Sequence, residues 1–148
     1  MPVNVDRETR QLLLRIKLFQ GLTEYELTEL MTKAEFIEYE VGQYMIREGE
    51  QGHHLFVLLA GEARITKRVL GMQRVIQYLR PAECFGEMSL IECRTRSASV
   101  KAVTHCKLLR LDGDYVISLP EISSKIYRNL AMLLSQKLRH ANDILTLG

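Results

Sequence analysis

The amino-acid sequence predicts a mainly β fold: an eight-stranded β-roll of the jelly-roll (double-stranded β-helix) kind, with helices before it and a long helix after it. Three observations carry this. The apolar period is helical up to about Lys33, alternates from about Phe36, and turns helical again after Asp112. Gly42, Gly49, Gly52, Gly61 and Gly71 cut the middle stretch into short runs rich in β-formers. The chain has 148 residues, 47% hydrophobic and 26% charged, which suits one compact core without metal or disulfide staples.

The elements follow in order. Residues 6–20 place Leu12, Leu13, Ile16 and Phe19 on one helical face, with Gly21 at the C-terminal cap. Thr23 to Glu26 reads as a capping box, in which the threonine hydroxyl accepts a backbone N–H and Glu26 reaches back. The helix it opens carries Leu27, Leu30 and Met31 and ends near Lys33. Strand runs come next: EFIEYEV, QYMI and HLFVLLA, then ARITKRV and QRVIQYL on either side of a hairpin at Leu70-Gly71-Met72. After a mixed segment at 81–97, SASVKAV and HCKLLRL are two further strands. Asp112 caps a short helix through Tyr115 to Leu119. Ser118-Leu119-Pro120-Glu121 is a second capping-box pattern, opening a helix to about Leu145. Its stripe is Ile126, Leu130, Leu134, Leu138, Ala141 and Leu145, widened by Ile122, Leu133 and Ile144. The chain is one domain over 1–148: N-terminal helices at 1–33, the β-roll at 34–111, C-terminal helices at 112–148.

Composition narrows the function classes. A net charge of +2 is thin for a DNA-binding stripe. No apolar run approaches the ~20 residues of a membrane span, and no secretory leader pattern is present. Three cysteines, Cys84, Cys93 and Cys106, form no C-x-x-C pair, so a reducing cytoplasm is expected and a zinc site is not. Cys93, in a basic loop with Arg94, has no general-base partner in view. His53 and His54 point to opposite faces of a strand, and His105 and His140 have no carboxylate or histidine at useful sequence spacing, so no metal is expected.

Residues 81–100, PAECFGEMSLIECRTRSASV, carry the chemistry. A glycine opening about one helical turn lets backbone N–H groups and the positive end of the turn converge on an anion. An arginine ten residues later returns a planar fork to the same anion. The glutamate beside the glycine would weaken an anion site unless it had its own task, and accepting from a sugar hydroxyl is one. Phosphate and sugar hydroxyl together describe a nucleotide.

Phe85-Gly86-Glu87-Met88-Ser89-Leu90, followed by Arg96-Ser97-Ala98-Ser99-Val100, resembles the phosphate-binding cassette of cyclic nucleotide-binding domains. These occur in the regulatory subunits of cyclic-AMP-dependent protein kinase, catabolite activator protein and cyclic-nucleotide-gated channels. The glycine-spaced segment from Val41 to Gly52 and the strand Phe56 to Gly61 are similar to that family as well. The resemblance implies a cassette at 85–98 in which Gly86 opens the turn, Glu87 binds the ribose 2′-hydroxyl and Arg96 pairs with the cyclic phosphate. It implies that backbone N–H groups of Met88, Ser89, Ser97 and Ala98, with the Ser97 hydroxyl, complete the cradle. His53 departs from the acidic residue many members carry there, and Cys93-Arg94-Thr95 lacks their glycine and proline.

The expectation is a non-catalytic sensor without cofactor or metal, binding cyclic AMP in preference to cyclic GMP. The C-terminal helix would act as a lid, with Lys137, Arg139 and His140 within reach of a base, and as a homodimer contact. No membrane or DNA contact is expected, because the sequence ends at Gly148 with no room for a helix-turn-helix. Two other readings stay open at this level. One is the same fold with an empty pocket, in which Glu87 and Arg96 are a surface ion pair; the other is a metal-dependent cupin-like enzyme.

Overall fold

A computed structural model describes residues 5–91 and 95–147, apart from the side chains of Ser89, Thr146 and Leu147. Cys93 and Arg94 therefore lie outside the described residues. Helix α1 (Arg7–Leu14) starts where Asp6 accepts the Thr9 N–H at 2.6 Å. The expected helix over 6–20 breaks after it: Ile16 is extended and Lys17–Phe19 forms a 3-10 turn. Tertiary packing overrides the helical period here, because the break buries Ile16, Leu18 and Phe19 together. Helix α2 (Glu24–Met31) has its full capping box, with Glu26 N–H donating to Thr23 Oγ1 at 3.1 Å and Thr23 N–H to Glu26 Oε1 at 2.9 Å.

Eight strands follow: β1 (Glu35–Tyr39), β2 (Tyr44–Ile46), β3 (His54–Ala60), β4 (Ala63–Val69), β5 (Met72–Leu79), β6 (Cys84–Phe85), β7 (Ser99–Ala102) and β8 (Cys106–Asp112). They form two antiparallel sheets, ordered β1-β8-β3-β6 and β2-β7-β4-β5. The predicted hairpin is a two-residue turn between the Val69–Met72 pair, with Leu70 and Gly71 both at positive φ as a type I′ turn requires. Strand β3 is buried on both faces, which explains why HLFVLLA is a continuous apolar run. Phe56, Leu58 and Leu108 face the interior of the roll, with Phe85 and Val100. Leu55, Val57, Leu109 and Leu111 face the helices.

Asp112 caps α3 (Gly113–Ile117), accepting the N–H groups of Asp114 and Tyr115. The second capping box does not form. Ser118 closes α3 instead: its hydroxyl donates to the Tyr115 carbonyl at 2.6 Å, and α4 (Pro120–Leu147) begins two residues later. Ile122, Ile126 and Leu130 of α4 are buried against α1, the 3-10 turn and α2. Three polar contacts fasten the same stretch. Lys125 meets Glu26 at 2.6 Å, the Asn129 amide donates to the Leu18 and Gln20 carbonyls, and the Tyr127 hydroxyl donates to the Leu90 carbonyl at 2.9 Å. Beyond Leu134 the stripe is uncovered: Leu138, Ala141 and Leu145 are exposed. No described helix is long and apolar enough to cross a membrane.

Candidate ligand-binding site

A cavity of ≈ 340 Å³ opens in the roll, within the range of small-molecule sites. Ile46, Ile65, Leu79, Phe85 and Val100 give it apolar wall, each from an inward-facing strand position. Of the residues expected to bind ligand, Gly86, Glu87, Met88, Arg96, Ser97 and Ala98 all line it. Ser89 follows in the same 3-10 turn, Glu87–Leu90. The structure thus brings the two halves of the expected cassette to one cavity. Met88 is 40% exposed, a cavity-lining side chain and not a core one, whereas Leu90 is buried in the core.

Gly86 is glycine for two reasons. Its φ of +80 is left-handed, and a Cβ there would sit 2.8 Å from the His54 carbonyl. That geometry lets β6 end directly at the cavity, with Phe85 stacked on Phe56 beneath it at 4.9 Å.

Arg96 is only 9% exposed. Its guanidinium donates to the His54 carbonyl at 2.9 Å and the Gly86 carbonyl at 3.4 Å. The Arg96 backbone is fixed too, its N–H donating to the Glu50 carbonyl and its carbonyl accepting from Gly49. Among the described residues no carboxylate forms an ion pair with it. Burial lowers the Arg96 pKa, and the nearby charge of Glu87 partly offsets this. A guanidinium remains protonated nonetheless, so the cavity wall holds a cation whose charge no direct contact among the described residues neutralises. That cation, a carboxylate beside it and an apolar wall suit an anion carrying a nearby hydroxyl and a flat apolar body.

Of the three polar residues expected on the C-terminal helix, Lys137 lines the cavity and Arg139 and His140 do not. Gln77 and Thr95 line it without having been singled out by sequence. Gln77 was legible in principle, since it stands two residues before buried Leu79 on one strand and so shares its face. Thr95 carried no such signal.

Burial is the main reason the Cys84 thiol is pushed up, with Glu87 and Glu83 adding to it, and Cys106 is raised by burial as well; neither is an activated thiol. His54 is lowered, first by burial and then by Arg110. One expectation about histidine needs correcting. His105 does have carboxylates near it, Glu38 at 3.7 Å and Glu40 at 3.8 Å, because pairing of β1 with β8 brings together residues far apart in sequence. Among the described residues no three His, Cys, Asp or Glu side chains cluster as a metal site would require.

The fold and this cavity define a β-roll ligand-binding domain built around a buried arginine. Residues 36–122 match the model of the cyclic nucleotide-binding domain, and the chain belongs to that family. It is 26% identical over 138 residues to a CRP-like cAMP-activated global transcriptional regulator of Mycobacterium tuberculosis, covering 90% of this chain and 60% of that protein. It is 36% identical over 99 residues to mouse (Mus musculus) cGMP-dependent protein kinase 2, covering 66% of this chain and 13% of the kinase. The crystal structure of Thermus thermophilus catabolite activator protein superposes with a TM-score of 0.77 at 33% identity, covering 88% of this chain and 62% of that one. The chain thus spans less than two thirds of the length of each of these relatives.

Proposed function

We propose that this chain is a non-catalytic sensor domain that binds a cyclic nucleotide monophosphate in the ≈ 340 Å³ cavity. One observation carries the reading: a buried arginine, held by two carbonyls and, among the described residues, by no carboxylate, shares a cavity wall with Glu87. Arg96 takes the cyclic phosphate, Glu87 the ribose 2′-hydroxyl, and Gly86, Met88, Ser89, Ser97 and Ala98 form the cradle. The apolar wall takes the base. Calorimetric titration of cyclic AMP and cyclic GMP into ligand-free protein tests this, and absence of heat with both would leave an empty-pocket module.

Cyclic AMP binds at least as well as cyclic GMP in this reading. The support is Ser97 directly after Arg96, where guanine-preferring relatives often place threonine. A preference for cyclic GMP of about tenfold would overturn it.

Helix α4 is the responsive element. The Tyr127–Leu90 hydrogen bond links its first half to the cassette, and Lys137 brings its second half to the cavity. A ligand that touches both biases the helix between two positions. The exposed run Leu138, Ala141 and Leu145 suits a homodimer contact. Sedimentation should show a dimer that Leu138→Asp disrupts, and a monomer at all concentrations would remove that role. No DNA contact is assigned to these residues. A cytoplasmic location suits the free thiols of Cys84 and Cys106.

A further inference from the structure

Two glycines in the turn before β3 have different physical reasons. Gly49 has φ +88 and open space around it, so its backbone conformation is what favours glycine. Gly52 is outside the left-handed region, so any L residue could adopt its backbone. Space is the constraint: a Cβ on Gly52 would lie 2.4 Å from Nε, 2.6 Å from Nη2 and 2.7 Å from Cζ of Arg96, so the guanidinium would have to move. Nε is the nearest and Cζ the farthest, so the added carbon would press obliquely on the Nε–Nη2 edge of the guanidinium. The opposing constraints come from the His54 and Gly86 carbonyls at the edge of the same plane.

We infer that Gly52 is the positioning residue for Arg96: its lack of a side chain leaves the space in which the guanidinium settles on its two carbonyls before any ligand arrives. The inference rests on the proposed role of Arg96 in nucleotide binding. A long side chain with several rotatable bonds binds an anion better when its rotamer is already fixed. A methyl group at position 52 would tilt the guanidinium away from both carbonyls and misdirect its fork.

The test uses calorimetry of cyclic AMP and cyclic GMP with the wild-type chain, Gly52→Ala and Arg96→Ala. Gly52→Ala is expected to weaken binding by about tenfold or more. If Arg96→Ala binds as the wild type does, the reading of the cavity itself fails. If Arg96→Ala is weakened while Gly52→Ala stays within about twofold of wild type, the positioning role alone is overturned. A second readout needs no ligand. The Arg96 Nε–Hε signal in a nitrogen-15 spectrum, identified by its loss in Arg96→Lys, should shift or broaden in Gly52→Ala; an unmoved signal overturns the inference. Should Gly52→Ala melt far below the wild type, the same change is made in Arg96→Lys, which lacks the planar group. There it should lower the melting temperature by no more than about 2 °C. An equal drop in both backgrounds would show that something other than the guanidinium needs the space, and the inference would fall.

Discussion

At one end of the cavity Arg96 is held by carbonyls from two segments, its backbone is tied to Gly49 and Glu50, and an edge of its guanidinium fills the space beside Gly52. At the other end Lys137 reaches the cavity from the exposed half of α4, beyond the last helix residues packed against the body. The first end is rigid because its constraints are backbone groups of a closed sheet. The second has little buried surface to hold it, since Ser135 to Leu145 are all exposed. The proposed sensor role needs both: a preorganised anchor for affinity and an element of low local stability for output.

The largest effect expected from this contrast is on affinity. Arg96→Ala should weaken nucleotide binding by about 2–5 kcal/mol, since it leaves a desolvated phosphate without its partner. Lys137→Ala should cost less than about 1 kcal/mol, as an exposed charge does. Equal losses in a calorimetric titration would erase the distinction between the two ends. Next comes Glu87→Ala, expected to cost about 1.5–3 kcal/mol as a lost charge-assisted hydrogen bond to a hydroxyl. A Glu87→Ala variant with wild-type affinity would move the ribose away from this carboxylate.

A smaller effect sharpens the link between the ends. Nucleotide should slow amide exchange across 121–145 as the helix closes on the cavity. Tyr127→Phe removes a hydrogen bond of about 0.5–1.5 kcal/mol and should reduce that slowing while leaving affinity close to wild type. An unchanged exchange response would mean that the Leu90 contact does not transmit ligand binding.

The smallest expected effect concerns the fixed half of α4. Hydrogen bonding to Lys125, then to the Thr23 backbone, holds the Glu26 carboxyl below its ordinary value of 4.5. A depressed carboxyl stabilises the fold above its unfolded pKa, and that contribution is lost as pH falls through the lower, folded value. Thermal melts should therefore lose stability below about pH 4.5, less steeply in Lys125→Met. Parallel melting curves for the two proteins in that range would show that the contact does not link α4 to α2.

Much of the fold was legible because local rules and tertiary demand agreed. Strand lengths, the Leu70-Gly71 turn, the Thr23 box and the Asp112 cap depend on residues within a few positions of one another. That Gly86, Glu87 and Arg96 share one cavity was legible for the same reason, since they sit on one short segment. Where local rules competed with burial they failed. The period over 6–20 favoured one helix, yet burying Ile16 and Phe19 required a break. Ser118 had the pattern of an N-cap but closes the preceding helix, because its hydroxyl found the Tyr115 carbonyl first.

By itself the sequence determined which residues could hold a phosphate and a sugar, because that chemistry resides in residue types and their spacing along one segment. It also determined the amphipathic stripe of the last helix, though not where the stripe stops being buried. Only the tertiary structure decided that Arg96 lies against Gly52 and donates to His54, residues more than forty positions away, and that Lys137 alone of three polar candidates lines the cavity. Only sheet pairing put His105 beside Glu38 and Glu40. The physical reason is the same in each case. A side chain's partners are set by which strands pair, in which register and at what helix crossing, and these are non-local outcomes of burying two cores at once.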